Sequence, residues 1–200
     1  SNEVRELVRH LSRVPTMLLT LRVDDPSEVP ALLRYWGRAG PGEDFRLLLE
    51  AMARVPGGAS LNASYFLPPL PRLLLYHYPQ PQAGGPPPSL NCVWTAMNFF
   101  APQPDPRFLT DDRFTGEILN TQYQRVPKAD AFGDLIVLHE TEPDGAMRLI
   151  HICVHIAEDV VFTKNGGDVF QPWVLMPLAD VLALFASEPS IQTAIFRRKG

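Results

Sequence analysis

The stretch RLIHICVHIAED, residues 148–159, does most to restrict what this chain can fold into. Ile150, Ile152, Val154 and Ile156 recur every second residue, and Leu149, His151, Cys153 and His155 fill the intervening positions. A period of two places consecutive side chains on opposite faces of a strand, so this reads as a β-strand with two different faces. The preceding GDLIVLHE carries the unbroken apolar run Leu135–Leu138 of a buried strand, and VVFTKNGG reads as a third strand ended by glycines. PLADVLALFAS reads as a later helix and IQTAIFRRKG as a terminal strand.

Before Gly133 the spacing is helical. NEVRELVRHLSRV has apolar residues at Val4, Leu7, Val8 and Leu11, which predicts a short amphipathic helix. SEVPALLRYWGRAG reads as a second helix capped by Ser27, and EDFRLLLEAMARVPGG as a third stopped by Pro56 and Gly57. RLLLYHYP fits a helical turn or a strand, and QPQAGGPPPS is a connector. Cys92 opens a further helix, with Val93, Ala96, Met97 and Phe100 on one buried face, and FTGEILNTQYQRV reads as another. Helices first and strands afterwards give an α+β plan. The division expected is a helical N-terminal section, residues 1–75, and a second domain, residues 76–200.

Of the 200 residues, 46% are hydrophobic and 20% charged, enough for a buried core. The net charge of −4 gives no basic footprint for nucleic acid, and no apolar run is long enough to span a membrane. No secretory apolar segment is present. The compartment stays open, because an exported or periplasmic protein whose signal lies outside this sequence would read the same. Two cysteines, Cys92 and Cys153, are too few for a disulfide scaffold.

A thiol at the first turn of a helix meets unsatisfied N–H groups, which favour the thiolate and an oxyanion beside it. A small core residue would occupy the same place. The hairpin adds weight to the chemical reading. If Ala157–Asp159 form a three-residue loop, Ile156 faces Val160, His155 faces Val161, Cys153 faces Thr163 and His151 faces Asn165. His151 then gains a polar neighbour and His155 does not. Cys92, His151 and Asn165 together supply the nucleophile, base and orienter of a thiol acyl-transfer site, with Thr163 the other candidate orienter. The loop length carries that register, since a slip of one residue turns Asn165 to the other face.

A cysteine opening a helix, then GDLIVL, then a His-led strand and hairpin, resembles the NlpC-like branch of the papain-like cysteine peptidases over residues 76–166. The resemblance implies a helix packed on an antiparallel sheet, with Cys92 as nucleophile, His151 as base and the third polar residue within Thr163–Asn165. It implies a substrate-lining tyrosine, for which Tyr78 is the candidate, and Trp94 beside the nucleophile would shape the pocket. The chain departs from the family at Asn91-Cys92-Val93-Trp94, where Asp-Cys-Ser-Gly is usual. The implied substrate is a peptide, amide or ester, cell-wall peptides included, and no cofactor is implied. The competing function is a non-catalytic binding module on the same scaffold. Metal binding by His151, Cys153 and His155 is disfavoured, because ligands at i, i+2 and i+4 of one strand span about 13 Å. Lys164 reads as a solvated strand-end residue and Asp134 as a strand-start residue.

Overall fold

The computed structural model describes residues 3–4, 17–39, 42–80, 89–185 and 191–199. Most of the first amphipathic segment and of the proline-rich connector therefore lie outside the described residues. The fold is α+β. In chain order come β1 (Thr20–Val23), α1 (Val29–Trp36), α2 (Gly42–Ala53), β2 (Ala59–Asn62), α3 (Pro69–Leu74), α4 (Cys92–Met97) and α5 (Asp112–Gln122). Then follow β3 (Tyr123–Val126), β4 (Leu135–Thr141), β5 (Met147–Ala157), β6 (Val160–Lys164), β7 (Trp173–Pro177), α6 (Leu178–Leu184) and β8 (Gln192–Arg198).

The main sheet has six strands in the order β3-β8-β4-β5-β6-β7, every neighbouring pair antiparallel. β4, β5 and β6 form the expected meander, β7 adds an unexpected strand to it, and β8 returns to pair with β4 rather than extending the sheet. The N-terminal section is not wholly helical, because β1 and β2 pair as a two-stranded sheet. Nor does residue 75 separate two cores. Trp36 lies 4.9 Å from Phe132 and 5.4 Å from Phe66, and the Tyr35 hydroxyl donates to the Ile156 carbonyl at 2.9 Å. Val23, Val29, Trp36 and Leu49 belong to one buried cluster with Cys92, Phe99, Phe132 and Val154.

The sheet has two unlike faces, as the period of two requires. On the inner face Leu135, Val137, Ile152, Val154, Ile156, Val160 and Phe162 join the large core, and α4 packs there through Phe99, 5.7 Å from Phe162. On the outer face Ile136, Leu138, Cys153 and Val161 form a smaller cluster with Val181 of α6 and with Phe185 just beyond it. Two residues trade places relative to the simple alternation. The β4–β5 register slips between Leu138 and His139, which pair with His151 and Leu149. Ile150 is the extra residue of a bulge, so Leu149 joins the inner core and Ile150 the outer cluster.

One ion pair, its carboxylate buried and its guanidinium part-exposed, pins the start of this sheet. Asp134 has no exposed surface and accepts from Arg197 Nε at 2.8 Å and Nη2 at 2.6 Å, and from the Asp130 and Ala131 amides. Beside it Gly133 has φ +86, and a Cβ there would come within 2.3 Å of the Phe100 ring. Burial alone would raise the Asp134 pKa, but the Arg197 guanidinium and the two amides outweigh it and hold the carboxyl below its ordinary value. A depressed carboxylate pKa stabilises the fold above the unfolded value of about 3.9 and stops doing so as pH falls through the folded one. Asp134→Ala should cost about 2 kcal/mol in urea unfolding at neutral pH, because it leaves the Asp130 and Ala131 amides without their acceptor and Arg197 with only Asp130. The gap between wild type and variant should narrow as pH falls below about 4.

Candidate functional site

α4 is one and a half turns long rather than the longer helix that the apolar spacing suggests. Asn91 caps it, its side-chain oxygen accepting from the Trp94 amide at 2.9 Å. Asn98 ends it, with no exposed surface and bonds to the Trp94 and Asp105 carbonyls and the Asp105 amide. A helix this short carries little dipole, so the environment of the Cys92 sulfur must come from specific groups.

Those groups are visible. Cys92 is 8% exposed. Burial pushes its thiol pKa up, against the Ile152, Val93 and Cys92 amides and the Lys164 charge, which pull it down. The Ile152 contact has a topological origin. β5 pairs with β6 at Val154↔Phe162, His155↔Val161 and Ala157↔Val160, and no β6 residue pairs with Ile152. β6 pulls away from β5 after these pairs, and the sulfur reaches the Ile152 amide beside the gap.

His151 is the residue before Ile152, and its side chain leaves the strand on the outer face. Its ring is 1% exposed and stacks on Phe185 at 4.9 Å. Its Nε2 lies 2.9 Å from Thr163 Oγ1, and the Thr163 hydroxyl donates to Asn165 Oδ1 at 3.1 Å. The Asn165 Nδ2 donates in turn to Met176 Sδ at 3.3 Å, the orientation a thioether acceptor favours. A hydroxyl has one proton. With that proton given to Asn165, Thr163 accepts from His151, so the ring carries its proton on Nε2 and leaves the Nδ1 lone pair free. Burial holds the His151 pKa down at about 4, so the ring is neutral at pH 7.

Of the expected triad, His151, Thr163 and Asn165 are joined by hydrogen bonds, and Cys92 is not joined to them among the described residues. The His155–Val161 pairing occurs as the hairpin arithmetic requires, although the turn itself tightens to Glu158 and Asp159. Thr163, not Asn165, bonds the His151 ring, and Asn165 stands one step behind it. The physical reason is strand length: β6 ends at Lys164, so Asn165 has no ladder position opposite His151. Cys92 and His151 approach from opposite faces of the sheet, and among the described residues no hydrogen bond joins them. The expected low thiol pKa is replaced by a raised one, because burial exceeds the pull of the amides.

Trp94 is a core residue, 6% exposed, and Tyr78 is half-buried. Neither lines the cleft beside the sulfur. His155 is taken up by the Ala131 and Glu158 carbonyls at 3.1 and 3.0 Å, and Cys153 lies fully buried against the Ile136 carbonyl.

Lys164 is the residue that sequence reasoning misplaced. It has no exposed surface. Its ammonium donates to the Gly166 and Asp168 carbonyls, both at 2.8 Å, and lies 5.7 Å from the Trp173 ring centre. Trp173 is held by its Nε1–H on Thr95 Oγ1 of α4 at 2.9 Å. Burial pulls the Lys164 pKa down to about 8, against the raising influence of Asp168 and of Cys92. The signal was present in KNGGD. Two glycines, Gly166 at φ +104, let the chain double back and offer its carbonyls to the lysine that precedes them.

Cys92 opens onto a cleft of about 720 Å³ between α4, α5 and the inner face of the sheet, where Val137 of β4, Leu149 of β5 and Phe196 of β8 line it. Compared with protein-family models and with curated proteins, the chain matches none. The two thiols should differ sharply in reactivity. Cys153 is raised further than Cys92 by complete burial and by the other sulfur. Iodoacetamide followed by mass spectrometry should label Cys92 ever faster as pH rises through 9, with no plateau at acid pH, and leave Cys153 untouched while the protein is folded. Lys164→Met should slow Cys92 labelling at pH 8, because it removes the nearest positive charge.

Proposed function

We propose that the chain is a thiol hydrolase or acyltransferase on a papain-like scaffold of the NlpC-like kind, with Cys92 as nucleophile and His151 as base. The observation that carries this reading is the Asn165–Thr163–His151 chain of hydrogen bonds, which commits the Nε2 proton and frees Nδ1 on the residue whose neighbouring amide contacts the Cys92 sulfur. A buried imidazole fixed in one tautomer suits general-base catalysis of a thiol's attack.

The resting pair is a neutral thiol and a neutral imidazole. The sulfur attacks the substrate carbonyl carbon as its proton passes to Nδ1, and the carbonyl electron pair moves to oxygen. Collapse of that intermediate breaks the bond to the amine or alkoxide, which leaves with the Nδ1 proton, and a thioester remains on Cys92. Water, deprotonated by His151, then cleaves the thioester to a carboxylic acid and the free thiol. In a transferase an amine or alcohol takes the place of water. The Ile152 and Val93 amides and the Lys164 ammonium stabilise the negative charge that develops near sulfur.

Acylation by p-nitrophenyl acetate tests this. Wild type should release a burst of nitrophenolate equal to the enzyme present, and Cys92→Ala none. His151→Ala should slow acylation about 10³-fold. Thr163→Val should cost about 10- to 100-fold by releasing the tautomer, and Asn165→Ala less than that. The acid limb of the rate profile should fall near pH 4, where His151 takes up a second proton, rather than near the usual 6.5.

A second reading, a binding module that retains the scaffold, is favoured by one observation: Cys92 is buried with a raised pKa. Its signature would be acylation no faster in wild type than in His151→Ala.

A further inference from the structure

A second cavity, of about 370 Å³, lies on the other flank of α5 from Cys92. α5 divides its side chains between the two. Phe114, Ile118 and Gln122, at i, i+4 and i+8, border this cavity, while Thr115, Gly116 and Leu119 border the cleft beside the thiol. The two share no lining residue. The opposite wall is the chain that leaves α4, from Phe100 to Phe108, in which Pro102, Pro104 and Pro106 prevent a continued helix. Phe108 and Phe114 meet there at 5.0 Å, and Met97, Phe100 and Ile118 complete an apolar lining. The polar groups on that lining are unequally satisfied. Asn98 is fully engaged with Trp94 and Asp105, and Arg107 pairs with Asp105 at 2.6 Å. Tyr123 and Arg198 stand directly opposite one another on β3 and β8, so their side chains share a face. Tyr123 is 8% exposed, and among the described residues its hydroxyl has no hydrogen-bond partner. The Arg198 guanidinium has none among them either. Its charge is felt at the hydroxyl, pulling the Tyr123 pKa down against the burial that raises it. Burial prevails, so the phenol keeps its proton at neutral pH.

We propose that this cavity binds a small carboxylate with an apolar body, its oxygens taken by the Tyr123 hydroxyl and the Arg198 guanidinium and its body held among Phe100, Phe108, Phe114 and Ile118. The site is separate from the Cys92 cleft and does not rest on the thiol reading. Small-molecule sites are mostly apolar with a few convergent polar groups, in cavities of about 300 to 1,000 Å³, and this one has both features. A phenol so deeply buried without an acceptor carries an unmet hydrogen bond, which a ligand oxygen would satisfy. The sign of the ligand's charge follows from the lining. Asp105 is committed to Arg107, so among the described residues Arg198 is the one unpaired charge there. Two donors on adjacent strands match the two oxygens of a carboxylate. A phosphate would bring further charged oxygens against the aromatic wall, where nothing desolvates them favourably. The ligand expected is a monocarboxylate with a ring or a short branched chain.

The test is isothermal titration calorimetry on the intact chain with phenylacetate as probe, and with phenylacetamide and acetate as its uncharged and bodiless counterparts. Wild type should bind phenylacetate at least about tenfold more tightly than phenylacetamide, and acetate should give no measurable heat. Tyr123→Phe and Arg198→Gln should each weaken phenylacetate about tenfold, and Arg198→Gln should leave phenylacetamide nearly unchanged. Arg148→Gln, which alters the Cys92 cleft instead, should bind phenylacetate as wild type does. Tyr123→Phe removes only an oxygen atom and Arg198 is exposed, so both variants should keep the fold. Absence of phenylacetate binding to wild type would overturn the proposal, as would equal affinity for the acid and the amide. Undiminished binding by both Tyr123→Phe and Arg198→Gln would overturn it too. Loss of binding in Arg148→Gln, with Arg198→Gln unaffected, would put the ligand in the Cys92 cleft and overturn the assignment to this cavity.

Discussion

The early parting of β6 from β5 is the constraint on which the site depends. An antiparallel sheet satisfies its backbone by continuous pairing, and an interior strand left unpaired on one side must find other partners. Here the pairing stops at Val154↔Phe162, and the Ile152 amide meets a sulfur instead of a carbonyl. Two helices on opposite faces make this possible. α4 lies against the inner face and brings Cys92 to the gap from one side. α6 and Phe185 cover the outer face and hold the His151 ring on the other.

The electrostatics of the site follow from how little water reaches it. Three titratable groups, Cys92, His151 and Lys164, are each pushed toward their neutral form by burial. The protein offsets that cost differently in each case. His151 is neutral and needs only one acceptor for its proton, which Thr163 provides. Lys164 remains a cation at neutral pH and uses two loop carbonyls and an aromatic ring. Cys92 has only amides and the lysine nearby, and these become effective as negative charge develops on sulfur. In the proposed reaction such a site is quiet at rest and polarised only as the thiol attacks, unlike one in which a thiolate–imidazolium pair is already formed.

Much of this was legible in the sequence, and what was not has identifiable causes. β4, β5, β6, β8 and α6 announce themselves by period and by the glycines or proline at their ends. Strict alternation also identifies the two faces, so His151, Cys153 and His155 share one. The hairpin register survives a wrong loop length because the error is absorbed by a slip at Ile156, beyond the pairs that matter. The failures are tertiary. β1, β2, β3 and β7 are four or five residues long, too short for a periodic signal, and exist because neighbours pair with them. Lys164 resembles any strand-end lysine until the following glycines fold back over it. Trp94 is drawn into the core by α4's packing although its sequence position suggested a pocket wall. The thiol's raised pKa depends on burial, which no local motif encodes.

The bulge at Ile150 joins these features into one device. Had β5 alternated without interruption, Leu149 would share the outer face with His151, and Ile150 would take its place on the inner face. The extra residue returns Leu149 to the inner face, beneath the unpaired edge, while His151 keeps its place over Thr163. A bulge also adds local twist and bends the strand that carries it. β6 ends in Lys164, Asn165 and two glycines, residues that turn and anchor the chain rather than extend it. A single inserted position thus separates the half of β5 that builds the core from the half that borders the cleft.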